Sequence, residues 1–179
     1  YYGYKVIGIY QNEEEIKNDP IAVANNLEPG DFKYEDVNGD NKIDGSDRQF
    51  LGSYQPNFTY GMNFGFEWKN LDFELTTYGQ TGAQMYNRKR ALRYAQSNYN
   101  FDEAQYKNRW TSEGSTNSNP SSKALTKNWN VGVTNSYFVE SADYFRIQNI
   151  SVGYTLRRIR LGSYTLPSLR LSLTADRPL

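Results

Sequence analysis

An acidic run near the start of the sequence has the residue types and spacing of a calcium-binding loop. Oxygen-bearing residues occupy its first, third, fifth, seventh, ninth and twelfth places: Asp36, Asn38, Asp40, Lys42, Asp44 and Asp47, with Lys42 contributing its main-chain carbonyl. Oxygens at these intervals converge when a loop curls around a hard cation, and mixed oxygen ligands favour Ca²⁺ over Mg²⁺. We expect Ca²⁺ as a structural cofactor here, although an acidic loop rich in Asx turns that binds nothing would have the same sequence.

Two other positions of this run also fit a calcium loop. Asn41 stands at the sixth place, where Gly is usual, and Asn tolerates the left-handed backbone conformation needed there. Ile43, at the eighth place, is expected to point away from the ion and anchor the loop to neighbouring structure. No pair of flanking helices is evident, so the pattern does not indicate an EF-hand domain.

The composition excludes most catalytic chemistry. The 179 residues include no Cys and no His, which excludes a zinc site of the usual ligands, a thiolate nucleophile and a triad with an imidazole base. The carboxylate pairs that could serve a glycosidase, Glu140 with Asp143 or Glu67 with Glu74, carry no signal that fixes their separation. A formal net charge of zero argues against a nucleic-acid partner. We therefore predict that the chain is not an enzyme and has no catalytic residue.

Aromatic residues of the long polar segment from 81 to 143 are candidates for contact with a substrate. Their rings could stack on sugar rings, but aromatic residues of loops also pack the loop itself: Tyr86, Tyr94, Tyr99, Trp110 and Trp129. The basic residues Arg88, Lys89, Arg90 and Arg93 could bind an anionic substrate or lipopolysaccharide, but we interpret them as the solvated face of a helix near 89–95.

The elements that would position these residues are strands. From Phe58 to Trp68 every second residue is large and apolar, and small or polar residues lie between them. This alternation has the period of a β-strand. A two-residue connection, Lys69 and Asn70, leads into a second alternating run from residue 71, which predicts a hairpin. Third and fourth runs cover 150–156 and 169–173, joined by a turn of about ten residues.

Two architectures fit this alternation: a transmembrane β-barrel and a soluble antiparallel sandwich with one buried face. The connections alternate between short turns and a loop of more than sixty residues, which is the layout of an outer-membrane barrel. Strand length agrees, since a tilted membrane strand needs about 9 to 11 residues. One strand face carries Asn63, Glu67, Asp72 and Glu74, which a water-filled barrel interior would tolerate, and Trp68 at a strand end suits an aromatic girdle at the membrane interface. Both features favour the barrel.

Several motifs resemble the SusC/RagA family of TonB-dependent outer-membrane transporters. They are Pro29–Tyr34, the acidic run, Pro56–Gly61, Arg109–Thr111 and Tyr144–Leu156, in the family's order. Arg157 stands where family members often have Pro. The resemblance covers nearly the whole chain, and we read the chain as a late-barrel piece of a longer protein.

The resemblance implies an all-β fold: an antiparallel segment of a transmembrane barrel of 22 strands with long extracellular loops. It implies a Gram-negative outer-membrane importer of oligosaccharides or peptides, with a SusD-like surface lipoprotein as lid and TonB as energy source through an absent N-terminal part. Outer-membrane lipid would be a further partner. The alternative is a soluble, calcium-stabilised, carbohydrate-binding β-sandwich.

The predicted organisation has four parts. Residues 1–56 form an extracellular loop region that contains the calcium-type loop 36–47, with residues 1–30 read as loop and one short strand. Residues 57–80 form a transmembrane hairpin, 81–143 a long extracellular loop and 144–179 further barrel strands.

Overall fold

The computed structural model describes residues 1–94 and 102–177. The chain divides into two compact units, and each is built from two separate stretches of sequence. Unit 1 comprises residues 1–54 and 84–141, and unit 2 comprises residues 55–83 and 142–179.

The described residues form ten strands and five α-helices. The strands are β1 (Tyr2–Gly3), β2 (Val6–Ile9), β3 (Phe32–Tyr34), β4 (Gln49–Phe50), β5 (Phe58–Trp68), β6 (Leu71–Thr81), β7 (Gln84–Tyr86), β8 (Val139–Ser141), β9 (Tyr144–Leu161) and β10 (Tyr164–Asp176). The helices are α1 (Glu13–Asn18), α2 (Pro20–Ala24), α3 (Arg88–Tyr94), α4 (Glu103–Asn108) and α5 (Asn128–Val131). Short 3-10 helices cover Gly45–Asp47, Ala124–Thr126 and Ser136–Phe138. None of these helices is both long and apolar enough to span a membrane.

Unit 2 contains one four-stranded antiparallel sheet in the order β10-β9-β6-β5. The predicted hairpin is confirmed, because β5 and β6 pair from Phe58–Thr81 to Trp68–Leu71 around Lys69 and Asn70. Lys69 has φ +55°, the left-handed conformation that such a tight turn needs. The predicted all-β antiparallel sheet is therefore confirmed for this unit.

A β-bulge in β9 keeps the apolar residues of that strand on one face. Ile147 pairs with Thr77 and Asn149 pairs with Thr76, so Gln148 is an extra residue between them. Because side chains alternate strictly along a strand, one extra residue reverses which of them face each side. The bulge therefore places Phe145 and Ile147 on the same face as Ile150.

The hairpin of β9 and β10 corrects the sequence prediction. The sequence predicts a turn of about ten residues between 156 and 169, whereas the two strands remain paired as far as Leu161 and Tyr164. Pro167, which cannot donate to the ladder, and Arg158, with φ +55°, interrupt the alternation that the prediction relied on. Past them the apolar pairs, such as Ile159 with Leu166, follow the opposite alternation.

Residues 1–30 of unit 1 contain two short strands and the helical pair α1 and α2, where the sequence predicts loop and one short strand. The side chain of Asn12 accepts a hydrogen bond from the Glu15 N–H and caps α1, whose first turn is entirely acidic. Asp19 caps α2 in the same way, with Pro20 at the first helical position. These local signals outweigh the polar composition that suggested a loop.

The long segment between β6 and β9 is a packed part of unit 1. It contains β7, β8, α3, which confirms the predicted helix, α4 and α5. Asn130 and Phe32 are fully buried, and a hydrogen bond between them joins the two stretches of unit 1. Asn130 Oδ1 accepts it from the Phe32 backbone N–H at 2.8 Å. The amide of Asn130 also donates to the buried Asp31 carboxylate at 3.1 Å. Buried polar groups satisfied in this way fix a single arrangement of the two stretches.

Candidate functional site

One face of the unit 2 sheet is apolar and exposed. Apolar side chains of all four strands contribute to this face. Five of them, from β5 and β10, each keep 48% or more of their surface exposed: Phe64, Phe66, Trp68, Leu171 and Leu173. The strand register places them together, because Phe64 pairs with Leu75 and Phe66 with Phe73. A soluble monomer rarely exposes so continuous an apolar surface, which therefore indicates contact with lipid or another apolar partner.

Aromatic rings lie near both ends of this face. At one end the Tyr60 ring passes over Gly79 and stacks on Phe145, with ring centroids 6.3 Å apart. At the other end Trp68 closes β5, and the Lys69 ammonium lies 4.6 Å from the centre of its ring. Aromatic side chains in two such rows are typical of the interface girdles of membrane barrels.

The opposite face of the sheet is polar and charged. Asp72 of β6 accepts hydrogen bonds from Arg170 of β10, with Arg170 Nε at 3.2 Å, and the side chains cross β9 at Gly153. A Cβ atom at Gly153 would lie 2.4 Å from Asp72 Oδ2, so only Gly leaves room for this ion pair. Glu67 and Arg157 line the same concavity, which has a volume of about 700 Å³.

In the predicted calcium loop, carboxylate and amide side chains accept hydrogen bonds from backbone N–H groups. Asn41 has φ +62°, as expected for the sixth place. The Asp36 carboxylate accepts from the N–H groups of Gly39 and Asn41, both at 2.8 Å. The side chains of Asn38, Asp40 and Asp44 each accept an N–H from two residues further on, and Lys42 supplies one of these N–H groups. The hydrogen bond from Ser46 lowers the pKa of Asp44.

The twelfth residue closes the loop from beneath. Asp47 is fully buried, and its carboxylate accepts the N–H groups of Val37 at 2.9 Å and Asp44 at 2.8 Å. Ile43 packs against the core formed by Tyr4 and its neighbours, which confirms its predicted anchoring role. In residues 1–94 and 102–177 no group of three or more Asp, Glu, His or Cys side chains is arranged to hold a metal ion. Calcium binding by this loop therefore stays a prediction.

The candidate substrate-contacting aromatics take part in the packing of unit 1. Tyr94 is buried and its hydroxyl donates to Asp102 at 3.0 Å. Trp110 donates from Nε1 to Gln11, and Trp129 donates from Nε1 to the Phe32 carbonyl at 2.8 Å. Tyr86 packs its half-buried ring near Phe138. Tyr99 lies outside the described residues, and a ligand contact by any of these five stays a prediction.

Arg90 has a role that the sequence reading missed. The sequence predicts a solvated side chain, whereas the Arg90 guanidinium donates to Glu140 and to the Tyr137 hydroxyl, each at 3.0 Å, and lies over the Tyr137 ring. Burial raises the pKa of Tyr137 to about 12, so this hydroxyl stays protonated and donates to Gln105. Arg90 thus ties α3 to β8, whereas Arg88 and Lys89 are exposed.

Comparison with known proteins finds relatives that cover both units. No protein-family model matches the sequence. Two curated TonB-dependent receptors of Formosa agariphila are 28% and 27% identical over 172 and 176 residues, which are 96% and 98% of this chain. The chain resembles part of a TonB-dependent receptor. It spans 17% of the length of each of these receptors.

The fold of this receptor-like segment agrees with that relationship. A solved structure of the RagAB peptide transporter matches it over the whole chain with a TM-score of 0.69 and 19% sequence identity, and the match covers 19% of the transporter chain. The family resemblance and the barrel-segment fold predicted from the sequence are both confirmed. The segment's exposed apolar face and charged opposite face are then the two sides of a partial barrel sheet.

Proposed function

We propose that this chain is part of the wall and the extracellular loops of a TonB-dependent nutrient importer in the outer membrane of a Gram-negative bacterium. The proposal rests on the exposed apolar face of the unit 2 sheet. Phe58 and Trp68, at the ends of β5, are ten residues apart, which corresponds to about 33 Å along a strand. A tilt of about 40° turns this into about 25 Å along the membrane normal, the height of the apolar band of outer-membrane barrels.

In this proposal unit 1 is extracellular and contributes to the surface that receives the substrate and a SusD-like lipoprotein lid. The short Lys69–Asn70 turn faces the periplasm, because periplasmic turns are short and extracellular loops long. The similarity to the RagAB peptide importer supports an oligopeptide substrate, and oligosaccharides are the second class to test. TonB would act through parts of the full protein outside this chain, which itself carries out no bond-making chemistry.

The rival function, a soluble carbohydrate-binding sandwich, requires a second layer over the apolar face. The described part of unit 2 contains a single sheet, and Phe64 on that face is 51% exposed. This observation favours the membrane protein.

The decisive experiment uses the full-length protein in its own bacterium. We expect it in the outer-membrane fraction after a carbonate wash, and expect a deletion strain to lose uptake of labelled oligopeptides. Recovery of the protein in the soluble fraction would contradict the membrane assignment. Unchanged peptide uptake with loss of oligosaccharide uptake would keep the importer and reassign its substrate.

A further inference from the structure

We propose that Asn38, at the third place of loop 36–47, is a site of spontaneous deamidation, and that a hydrogen bond to Asp36 sets how fast it reacts. The reaction adds a negative charge to the loop without a modifying enzyme, and that charge acts through the same electrostatics as other modifications. The site depends only on the local geometry of the loop, so it is independent of the proposed transport function.

The first observation is the pair of residues itself. Asn38 and Gly39 form the only Asn-Gly pair in the sequence. Deamidation begins when the backbone nitrogen of the following residue attacks the side-chain carbonyl carbon of Asn, and Gly hinders this attack least because it has no Cβ. Both residues are exposed, and a Cβ atom at Gly39 would meet no described atom within 4 Å. The described structure therefore leaves room for the ring to close.

The reaction converts the side-chain amide of Asn38 into a carboxylate by way of a cyclic imide. Gly39 N bonds to Asn38 Cγ, its proton passes through solvent to the side-chain nitrogen, and that nitrogen leaves as ammonia. Water then adds to one of the imide carbonyls and opens the ring. Opening at the main-chain carbonyl gives isoaspartate, in which the chain runs through the former side chain, and opening at the other carbonyl gives Asp.

The second observation is the hydrogen bond that holds the attacking nitrogen. The Gly39 N–H donates to Asp36 Oδ1 at 2.8 Å, and Asp36 Oδ2 accepts from the Asn41 N–H at 2.8 Å, so the carboxylate is fixed through both oxygens. To react, Gly39 N must lose its proton and turn toward Asn38 Cγ. The bond to Asp36 restrains that turn, and the negative charge beside the nitrogen opposes loss of the proton.

The third observation is that the Asn38 side chain is also restrained. Its Oδ1 accepts from the Asp40 N–H at 3.2 Å, and its Nδ2 donates to the Asp40 carboxylate at 3.1 Å. Such local bonds between side chain and backbone hold the amide toward Asp40. Both reacting groups are thus engaged elsewhere while the loop is closed, and the reaction proceeds when the loop opens.

Asn135, which precedes Ser136, is an internal reference for an Asn that should not react. It is fully buried, and its amide donates to the Tyr34 hydroxyl at 3.1 Å and to the Asn130 carbonyl at 2.8 Å. The Ser136 N–H that would have to attack donates to the Tyr4 carbonyl at 3.0 Å. Burial holds this arrangement closed, whereas the bonds of Asn38 lie in an exposed loop.

Deamidation would change the loop at one of the places predicted to hold calcium. An Asp side chain at position 38 adds a carboxylate between Asp36 and Asp40. Without a cation the added charge repels its neighbours and favours the open loop, and with a cation it supplies a charged ligand in place of an amide. Isoaspartate lengthens the backbone between Asp36 and Asp40 and so disrupts their spacing.

The test follows the full-length protein, in buffer with a chelator, during incubation at mildly alkaline pH. Peptide mass spectrometry measures the deamidated fraction at Asn38 and Asn135, with fragmentation that separates Asp from isoaspartate. We expect conversion at Asn38 and none at Asn135. Asp36→Ala, or unfolding of the wild-type protein in guanidinium, should speed conversion at Asn38 by about tenfold, since a hydrogen bond to a charged group is worth that factor.

Asp44→Ala is the matched control, because it removes a carboxylate of the same loop that accepts the Ser46 N–H and not the Gly39 N–H. It should leave the rate at Asn38 unchanged. Equal acceleration in both variants would overturn the role of Asp36, and so would slower conversion in Asp36→Ala, because the carboxylate would then act as a base. No conversion at Asn38 in either Asp36→Ala or the unfolded protein would overturn the site itself.

Discussion

Two glycines in the four-stranded sheet let long side chains cross a neighbouring strand. On the apolar face Gly79 leaves room for the Tyr60 ring to reach Phe145, and a Cβ atom there would lie 2.4 Å from Tyr60 Cζ. On the polar face Gly153 does the same for the Asp72 carboxylate. In each case an empty position on the middle strand couples two strands that are not hydrogen-bonded to each other.

Gly153→Ala should therefore destabilise the sheet, because the new methyl group displaces the Asp72 carboxylate from Arg170. We expect a loss of about 1 to 3 kcal/mol in the free energy of unfolding, the usual range for overpacking. The control is Gly65→Ala, since a Cβ atom at Gly65 on the same face meets no atom within 4 Å. Reversible unfolding of the full-length protein in lipid measures both, and equal losses would refute the crossing argument.

A second residue-scale prediction concerns acid. Hydrogen bonds from Lys123 and Lys127 lower the pKa of Glu28 to about 2. A carboxylate with a depressed pKa stabilises the folded state fully above its unfolded value, near 4.5, and that stabilisation is lost as the pH falls from there to about 2. Unit 1 should thus become more susceptible to an acid-active protease across this range. Glu28→Gln should remove that part of the pH dependence, whereas Glu13→Gln, on exposed α1, should keep it.

The predicted calcium site can also be tested with single-residue variants. Asp36→Ala and Asp40→Ala should each abolish Ca²⁺ binding and loosen the loop while the strands stay intact, because each removes a carboxylate ligand. Calorimetry of the full-length protein measures the binding, and hydrogen exchange measures the loop. Glu14→Ala, a charge loss elsewhere in unit 1, is the control. Wild-type protein that takes up no Ca²⁺ at millimolar concentration would rule the site out.

At the scale of elements, the face assignment of β5 can be tested by one pair of neighbouring residues. Phe64 lies on the apolar face and Asn63 on the polar face, where it pairs with Thr76. Phe64→Arg should destabilise the protein by about 2 to 4 kcal/mol if Phe64 lies near the bilayer midplane, and Asn63→Arg far less. Unfolding in bilayers gives both values, and similar losses would exclude a lipid-facing role for Phe64.

Elements whose local pattern agrees with their environment could be predicted from the sequence. The unbroken alternation from Phe58 to Trp68 gave β5 its bounds, and Lys69–Asn70 gave the turn. The full length of β9 and β10 could not be predicted, because the bulge at Gln148 and the interruption at Arg158 and Pro167 change the alternation within continuous strands. Pairing with neighbouring strands holds such strands together, and local alternation does not show which strands distant in the sequence will pair.

The candidate sites likewise divide into features that the local sequence determines and features that depend on contacts between distant residues. The backbone of loop 36–47 and the inward packing of Ile43 are dictated locally, by residue types that favour Asx turns and by one apolar residue among polar ones. The contacts of Arg90 with Tyr137 and Glu140 join residues about fifty positions apart. No local pattern distinguishes Arg90 from its exposed neighbours Arg88 and Lys89.

At the scale of the whole molecule, the proposed topology places all of unit 1 outside the cell. An epitope tag inserted in the exposed turn at Gly114, where a Cβ atom meets nothing within 4 Å, should be labelled by antibody on intact cells. A tag inserted after Asn70, in the opposite turn, should be labelled only after the outer membrane is permeabilised. The reverse pattern would invert the topology.

Unit 1 is assembled from two stretches of chain with the β5–β6 hairpin between them. Its central contacts, such as Asn130 with Asp31 and Asn117 with Ile9, join residues 99 and 108 positions apart. The first stretch therefore cannot complete its core until the second stretch, which follows the hairpin in the sequence, reaches it, and loop closure over such separations is slow. The hairpin can pair before unit 1 is complete, because its own contacts are local. Until the second stretch joins it, the first stretch lacks the partners of its central hydrogen bonds and remains an incomplete fold that proteases can attack.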